Sequence, residues 1–168
     1  MPVIFPNITE EPPTYVDEGI LFQSIYEEFD TNAYINDNAL TYSEMPDTTL
    51  DISIQNNSRI SVTFSAVGLL HIDDLFNIKV KFLIALQVEG VGNRTFTIIY
   101  YDNGGAVGYD REVVHTLHYI YVTDPLSAGT YSIKVYWKSE IDAAGINQLN
   151  LHGGAFDYPR ALWVLELA

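Results

Sequence analysis

Residues 128–139 read AGTYSIKVYWKS, and their alternation decides the fold. Tyr131, Ile133, Val135 and Trp137 fall on one side of an extended chain, and Ser132, Lys134, Tyr136 and Lys138 on the other. A period of two belongs to a β-strand, which covers a core with one face and meets water or a partner with the other.

The same kind of segment recurs on both sides of it. Strands are predicted at 49–54 (TLDISI), 59–66 (RISVTFSA), 77–88 (NIKVKFLIALQV), 95–101 (TFTIIYY), 112–123 (EVVHTLHYIYVT), 130–138, 148–152 (QLNLH) and 160–167 (RALWVLEL). Turn-forming stretches separate them: Gln55-Asn56-Asn57-Ser58, Glu89-Gly90-Val91-Gly92-Asn93, Asp102-Asn103-Gly104-Gly105, Asp124-Pro125 and Gly153-Gly154. Between them, residues 67–76 (VGLLHIDDLF) fit a short strand followed by a loop. Short β-branched and aromatic runs punctuated in this way predict an all-β fold, an eight-stranded antiparallel jelly-roll sandwich.

The beginning of the chain is of another composition. Residues 1–58 contain eleven acids and no Lys or Arg, whereas residues 59–168 set eleven acids against all eight bases. Pro2, Pro6, Pro12 and Pro13 favour an extended start, and apolar groups at 21, 22, 25, 26 and 29 suit either a short helix or a strand within 18–29. The predicted organisation is an acidic, proline-containing N-terminal arm over 1–40 and a jelly-roll head over 41–168. Aromatic residues are scarce in disordered segments, so Phe5, Phe22, Tyr26 and Phe29 are expected to anchor the arm on a partner.

Several strands are apolar on both faces. Leu83 and Ala85 oppose Ile84 and Leu86, and Trp163, Leu165 and Leu167 oppose Leu162 and Val164. An antiparallel sandwich normally keeps its outer face polar, so a second apolar face requires another layer, either the arm or a neighbouring subunit. Leu83, Ala85, Trp163, Leu165 and Leu167 are therefore candidate oligomer-interface residues.

The run from Thr41 to Leu167 resembles the jelly-roll heads of the tumour-necrosis-factor and complement type, and in particular versions found in phage and virus decoration or spike proteins. Val88-Glu89-Gly90 stands where those proteins often carry VDG, with Glu in place of Asp. Ala128–Trp137 matches their alternating strand, and Arg160–Leu167 matches an R-x-L-x-V-x-E-L ending. The resemblance covers about three quarters of the chain and rests on packing patterns. It implies a homotrimer with its C-terminal strand near the subunit interface, used for structure or recognition, without catalysis.

Motifs for chemistry are sparse. His115 and His118 are three apart in a strand and point to opposite faces, so regular geometry does not let them chelate one metal. The loop acids Asp73, Asp74, Asp102, Asp110, Glu112, Asp124 and Asp142 lack the spacing of a calcium loop. No nucleophile elbow, HExxH motif or phosphate loop occurs, and neither an enzyme nor a cofactor nor a metal is expected. The chain has no Cys, which rules out disulfides and thiolate metal sites within it. Its net charge of −14 disfavours nucleic acid and anionic membranes. No apolar stretch is long enough for a spanning helix, and the first residues lack the positive region of a signal peptide. The sequons at Asn7, Asn56 and Asn93 are close to the number chance gives.

The expected role is a virion structural protein, a trimeric decoration, spike or turret subunit at the virion surface, joined to other capsid or surface proteins through the arm. The alternatives are a carbohydrate- or receptor-binding module, with Tyr100, Tyr101, Tyr119, Tyr121 and Tyr136 facing a glycan, and an extracellular, cell-surface or filament subunit.

Overall fold

The computed structural model describes residues 16–17, 20–21, 23–55, 57–72, 79–101, 111–140, 147–151 and 159–167. Within them the chain is all-β, with no helix. The strands are β1 (Val16–Asp17), β2 (Ile20–Leu21), β3 (Ser24–Phe29), β4 (Ala33–Asn36), β5 (Ser43–Ile54), β6 (Arg59–Ile72), β7 (Lys79–Val88), β8 (Gly92–Tyr101), β9 (Arg111–Val122), β10 (Gly129–Ser139), β11 (Gln148–Leu151) and β12 (Arg160–Leu167). All eight strands read from the sequence are present. The unassigned residues 67–72 extend β6, because their inward positions Gly68, Leu70 and Ile72 continue its alternation.

Two antiparallel sheets build the molecule, and β1 and β2 form a small separate pair. One sheet has the order β5-β10-β7-β8. The other is organised around β6, whose one edge pairs along its length with β9. Its opposite edge is shared by two strands end to end, β12 against Arg59–Ser65 and β11 against Gly68–His71. Beyond them β3 pairs with β12, and β4 with β11. This second sheet therefore has four rows: β9, β6, β11 with β12, and β4 with β3.

The sheets enclose one core. Ile52 and Ile54 of β5, Phe82, Ile84 and Leu86 of β7, and Ile133 and Val135 of β10 face Val62, Phe64 and Leu70 of β6, Leu149 and Leu151 of β11, and Leu162 and Val164 of β12. At the open edge Phe96 of β8 stacks on Tyr119 of β9, with ring centroids 4.4 Å apart. Burial raises the pKa of the Tyr119 phenol. Gly68 faces a tightly packed part of the core: a Cβ there would lie 3.1 Å from Leu151 Cδ2 and 3.2 Å from Leu149 Cδ1.

Residues 24–36 correct the expected boundary at residue 40. Residues 24–29 and 33–36 are strands of the six-stranded sheet, 24–29 taking the strand of the two readings offered for 18–29, and Phe29, Ala33 and Ile35 belong to the core. Their alternation outweighs the helical spacing once β12 and β11 offer unpaired edges to them.

β5 is irregular at 45–48. The pairing with β10 jumps from Thr49↔Lys134 to Glu44↔Tyr136, so the ladder bulges at Met45-Pro46-Asp47-Thr48, and Asp47 takes a left-handed φ of 58°. Arg160, fully buried at the start of β12, holds this bulge. Its Nη1 donates to the Pro46 carbonyl at 2.9 Å, and its Nη2 donates to the Thr31 carbonyl and Oγ1, each at 2.8 Å. Thr31 Oγ1 donates in turn to Asp47 Oδ2 at 2.8 Å. Burial lowers the guanidinium pKa, against the opposing pull of Asp47.

Candidate assembly face

Strand β12 sorts its side chains by parity. Arg160, Leu162, Val164 and Glu166 point inward and are buried. Ala161, Trp163, Leu165 and Leu167 lie on the outer face of the six-stranded sheet, and there the register places Trp163 between Tyr26 and Thr63, with Ile120 beyond. The adjacent row runs Ser24, Leu165, Ser61, Val122. Tyr26 is 59% exposed, Trp163 48%, Ile120 45% and Val122 43%. Isolated exposed apolar residues are ordinary, whereas here Tyr26 and Trp163 are neighbours on β3 and β12, and Ile120 and Val122 lie two strands on, across Thr63 and Ser61 of β6.

Local bonds hold the aromatic pair in place. Trp163 Nε1 donates to Ser24 Oγ at 2.7 Å, and the Tyr26 hydroxyl donates to Glu28 Oε1 at 2.5 Å. Partial burial, with Glu28 beside it, pushes the Tyr26 pKa up to about 12. Next to this row the floor falls away at the small residues Ala161 and Ser65, leaving a hollow of about 270 Å³ bordered by Tyr26, Glu28, Val67, His118 and Pro159.

The structure separates the expected interface residues. Trp163, Leu165 and Leu167 share the face just described. Leu83 and Ala85 lie on the outer side of the other sheet and are each only 6% exposed in the single chain. Tyr42 covers that region: its hydroxyl reaches Thr95 Oγ1 at 3.3 Å, crossing β10 and β7 from the β5 side. In the single chain Leu83 and Ala85 therefore offer little exposed surface to a neighbouring subunit.

The aromatic residues divide as well. Tyr119 and Tyr121 pack against the core, so they are not ligand-facing. Their strand alternates between Tyr and smaller residues, and the sequence does not say which side faces in. Tyr136 is on an outer face and half-buried. Tyr100 and Tyr101 pair with Val80 and Lys79, and their side chains lie outside the described residues. Of the arm anchors, Phe29 is buried in the core and unavailable to a partner, Tyr26 is exposed, and Phe5 and Phe22 lie outside the described residues.

His118 lies on the outer face of β9, paired with Ser65, while His115 lies on the inner face opposite Gly68. His71 Nδ1 is 3.9 Å from Glu112 Oε1. Among the described residues no group of three or more His, Cys, Asp or Glu side chains has the geometry to hold a metal. Of the loop acids, Asp73, Asp74, Asp102, Asp110 and Asp142 fall outside the described residues. No helix among the described residues is long and apolar enough to cross a membrane.

Comparisons with known proteins give no matching family model and no matching curated protein. Among solved structures the chain overlays part of dimeric latent PorU from Porphyromonas gingivalis, with a TM-score of 0.38, 9% identity, and coverage of 87% of this chain and 12% of that one. It also overlays the infectious bursal disease virus VP2 subviral particle, with a TM-score of 0.30, 14% identity, and coverage of 100% of this chain and 42% of that one. The Gx strain of the same virus gives a TM-score of 0.31 and 12% identity over 99% of this chain and 42% of that one. The chain spans less than half the length of each of these proteins, and overlaps at this level leave its fold and role to its own residues.

Proposed function

We propose that the chain is a structural subunit of a virion, a jelly-roll domain that assembles as a homotrimer through the outer face of its six-stranded sheet. The exposed pair Tyr26–Trp163 with Leu165 beside it, and Ile120 and Val122 across Thr63 and Ser61, carries this reading, since apolar surface is unfavourable in water and burying it against a matching surface lowers the free energy. The row order supports a jelly roll. Counting β3 with β4 and β11 with β12 as single rows gives eight, arranged as two four-row sheets between which consecutive strands alternate or return by a Greek-key path. The virion role follows from the kinship of that architecture with capsid and decoration domains, which is analogy at the level of fold. In this reading the protein has no catalytic role, and its partners are copies of itself and neighbouring capsid components.

Sedimentation equilibrium tests the assembly. The expected species has three times the 18.9 kDa mass of the chain, and a stable monomer at micromolar concentration overturns the trimer. Trp163→Asp is expected to give a folded monomer, because Trp163 is half-exposed in the single chain while a carboxylate buried in an interface costs several kcal/mol. Immunogold labelling of purified particles tests the virion role, with unlabelled particles overturning it.

A further inference from the structure

The four-stranded sheet carries a second hollow on its outer face, the side of the molecule opposite the assembly face. It holds about 270 Å³ and is lined by Tyr42, Ala85, Gln87, Asn93 and Tyr136. Its construction follows from register. Ala85 of β7 pairs with Tyr136 on one side and Thr95 on the other, so a methyl group forms the floor where both neighbours are taller. One residue pair along, Gln87 lies opposite Asn93, which sets two carboxamides side by side at one end. Tyr42 closes the other side, tied to Thr95 at 3.3 Å, with Lys138 Nζ 5.1 Å from the centre of its ring.

All five lining residues are uncharged. The nearby Lys134 is occupied by Glu44 at 3.7 Å and Glu89 at 3.8 Å, and these two carboxylates raise its pKa. Two phenol rings supply apolar surface with a polar tip, and each carboxamide supplies both donors and acceptors. A small apolar molecule would leave the Gln87 and Asn93 amides unpaired, and an ion would find no opposite charge in the lining. A ligand that satisfies the whole set has an apolar ring face for the tyrosines and adjacent hydroxyls for the amides. The volume lies just below the range of about 300–1,000 Å³ usual for drug-sized ligands, which limits the occupant to about one ring.

We propose that this hollow binds one ring of a neutral carbohydrate, stacked against Tyr42 or Tyr136 and hydrogen-bonded to Gln87 and Asn93. The site is independent of assembly. It lies on the other sheet, so a subunit buried through Trp163 still presents it to solvent.

Saturation-transfer NMR on the full chain tests the proposal, using methyl glycosides of glucose, galactose, mannose and N-acetylglucosamine, with sialic acid as a charged comparison. At least one neutral glycoside is expected to show transfer to its ring protons, with a Kd in the millimolar range suited to so small a ligand. Gln87→Ala and Tyr136→Ala are each expected to weaken it about tenfold, the loss of roughly one hydrogen bond or stacking contact. Val114→Ser, on the opposite sheet, is expected to leave it unchanged. Far-UV circular dichroism confirms that each variant is folded, and Asn93→Ala provides a second reading if Gln87→Ala is not. The proposal fails if no neutral glycoside shows transfer at concentrations on the order of tens of millimolar, if sialic acid alone does, or if the pocket variants bind as well as the native chain. Failure here with the trimer intact leaves the assembly reading standing, and binding by a monomer separates the two in the other direction.

Discussion

Replacing Arg160 by Met tests how the two sheets are joined at the bulge in β5. The guanidinium makes three hydrogen bonds, two of them to the backbone carbonyls of Thr31 and Pro46. Methionine fills similar volume but donates nothing, so both carbonyls lose their partner in bonds that are partly buried. An unsatisfied buried acceptor costs about 1–3 kcal/mol, which puts the gross loss at about 2–6 kcal/mol. The desolvation that lowers the Arg160 pKa is relieved at the same time, and it offsets part of that loss. A net destabilisation of about 3 kcal/mol is expected, large against a total stability of about 5–15 kcal/mol. In a chain of this size it corresponds to a fall in Tm of about 6–12 °C. Arg160→Lys keeps the charge but not the planar fork that spans both carbonyls, so about half of the loss is expected. Urea unfolding followed by the fluorescence of the buried Trp137, at fixed protein concentration, measures both variants. Arg160→Met with unchanged or increased stability would show that guanidinium desolvation outweighs its bonds and refute the clamp.

Gly68→Val should cost about 1–3 kcal/mol, because the new side chain meets Leu149 and Leu151 at a site with no slack; an unchanged urea midpoint would sink that. A chain beginning at residue 40 should be insoluble or unfolded, since it lacks β3, β4 and the core residues Phe29, Ala33 and Ile35; a soluble, cooperatively melting product would restore the idea of a dispensable arm. The Tyr26 phenol has a folded pKa near 12 against about 10 when unfolded, so it is neutral in both states below pH 10 and adds nothing there. Between those values the unfolded chain loses the proton first and stability falls as pH rises, and the phenolate absorbance missing from Tyr26→Phe should titrate near 12, not 10. Chelation by EDTA should leave Tm unchanged; a fall reversed by calcium would point to a site on the acidic loops.

Strand positions were legible because one face of each strand is regularly apolar, as in Ile133, Val135 and Trp137. Which apolar residues remain outside was less so. Leu83 and Trp163 look alike in the sequence, yet Leu83 is buried in the single chain, on a face where Tyr42 reaches across to Thr95, and Trp163 is half-exposed. That contact joins residues far apart along the chain, beyond the reach of local pattern. The Arg160 clamp left a trace that parity alone could have revealed, since Arg160 and Glu166 are in phase with the buried Leu162 and Val164. Residues 24–29 stayed open between helix and strand because their apolar spacing fits both periods, and the edge of β12 decides between them.

The row formed by β11 and β12 lies between β6 and the row of β3 and β4, and these are the last of the described strands to leave the ribosome. Until they do, β3 and β4 have no neighbour in their sheet and the β12–β11 edge of β6 stays bare. Folding of the second sheet therefore waits for β11 and β12 and is dominated by pairings distant along the chain, which makes it slow and leaves the nascent protein prone to mispairing with other copies. A chain ending before residue 148 would contain every strand of the first sheet but lack the row that joins β6 to β3 and β4 in the second.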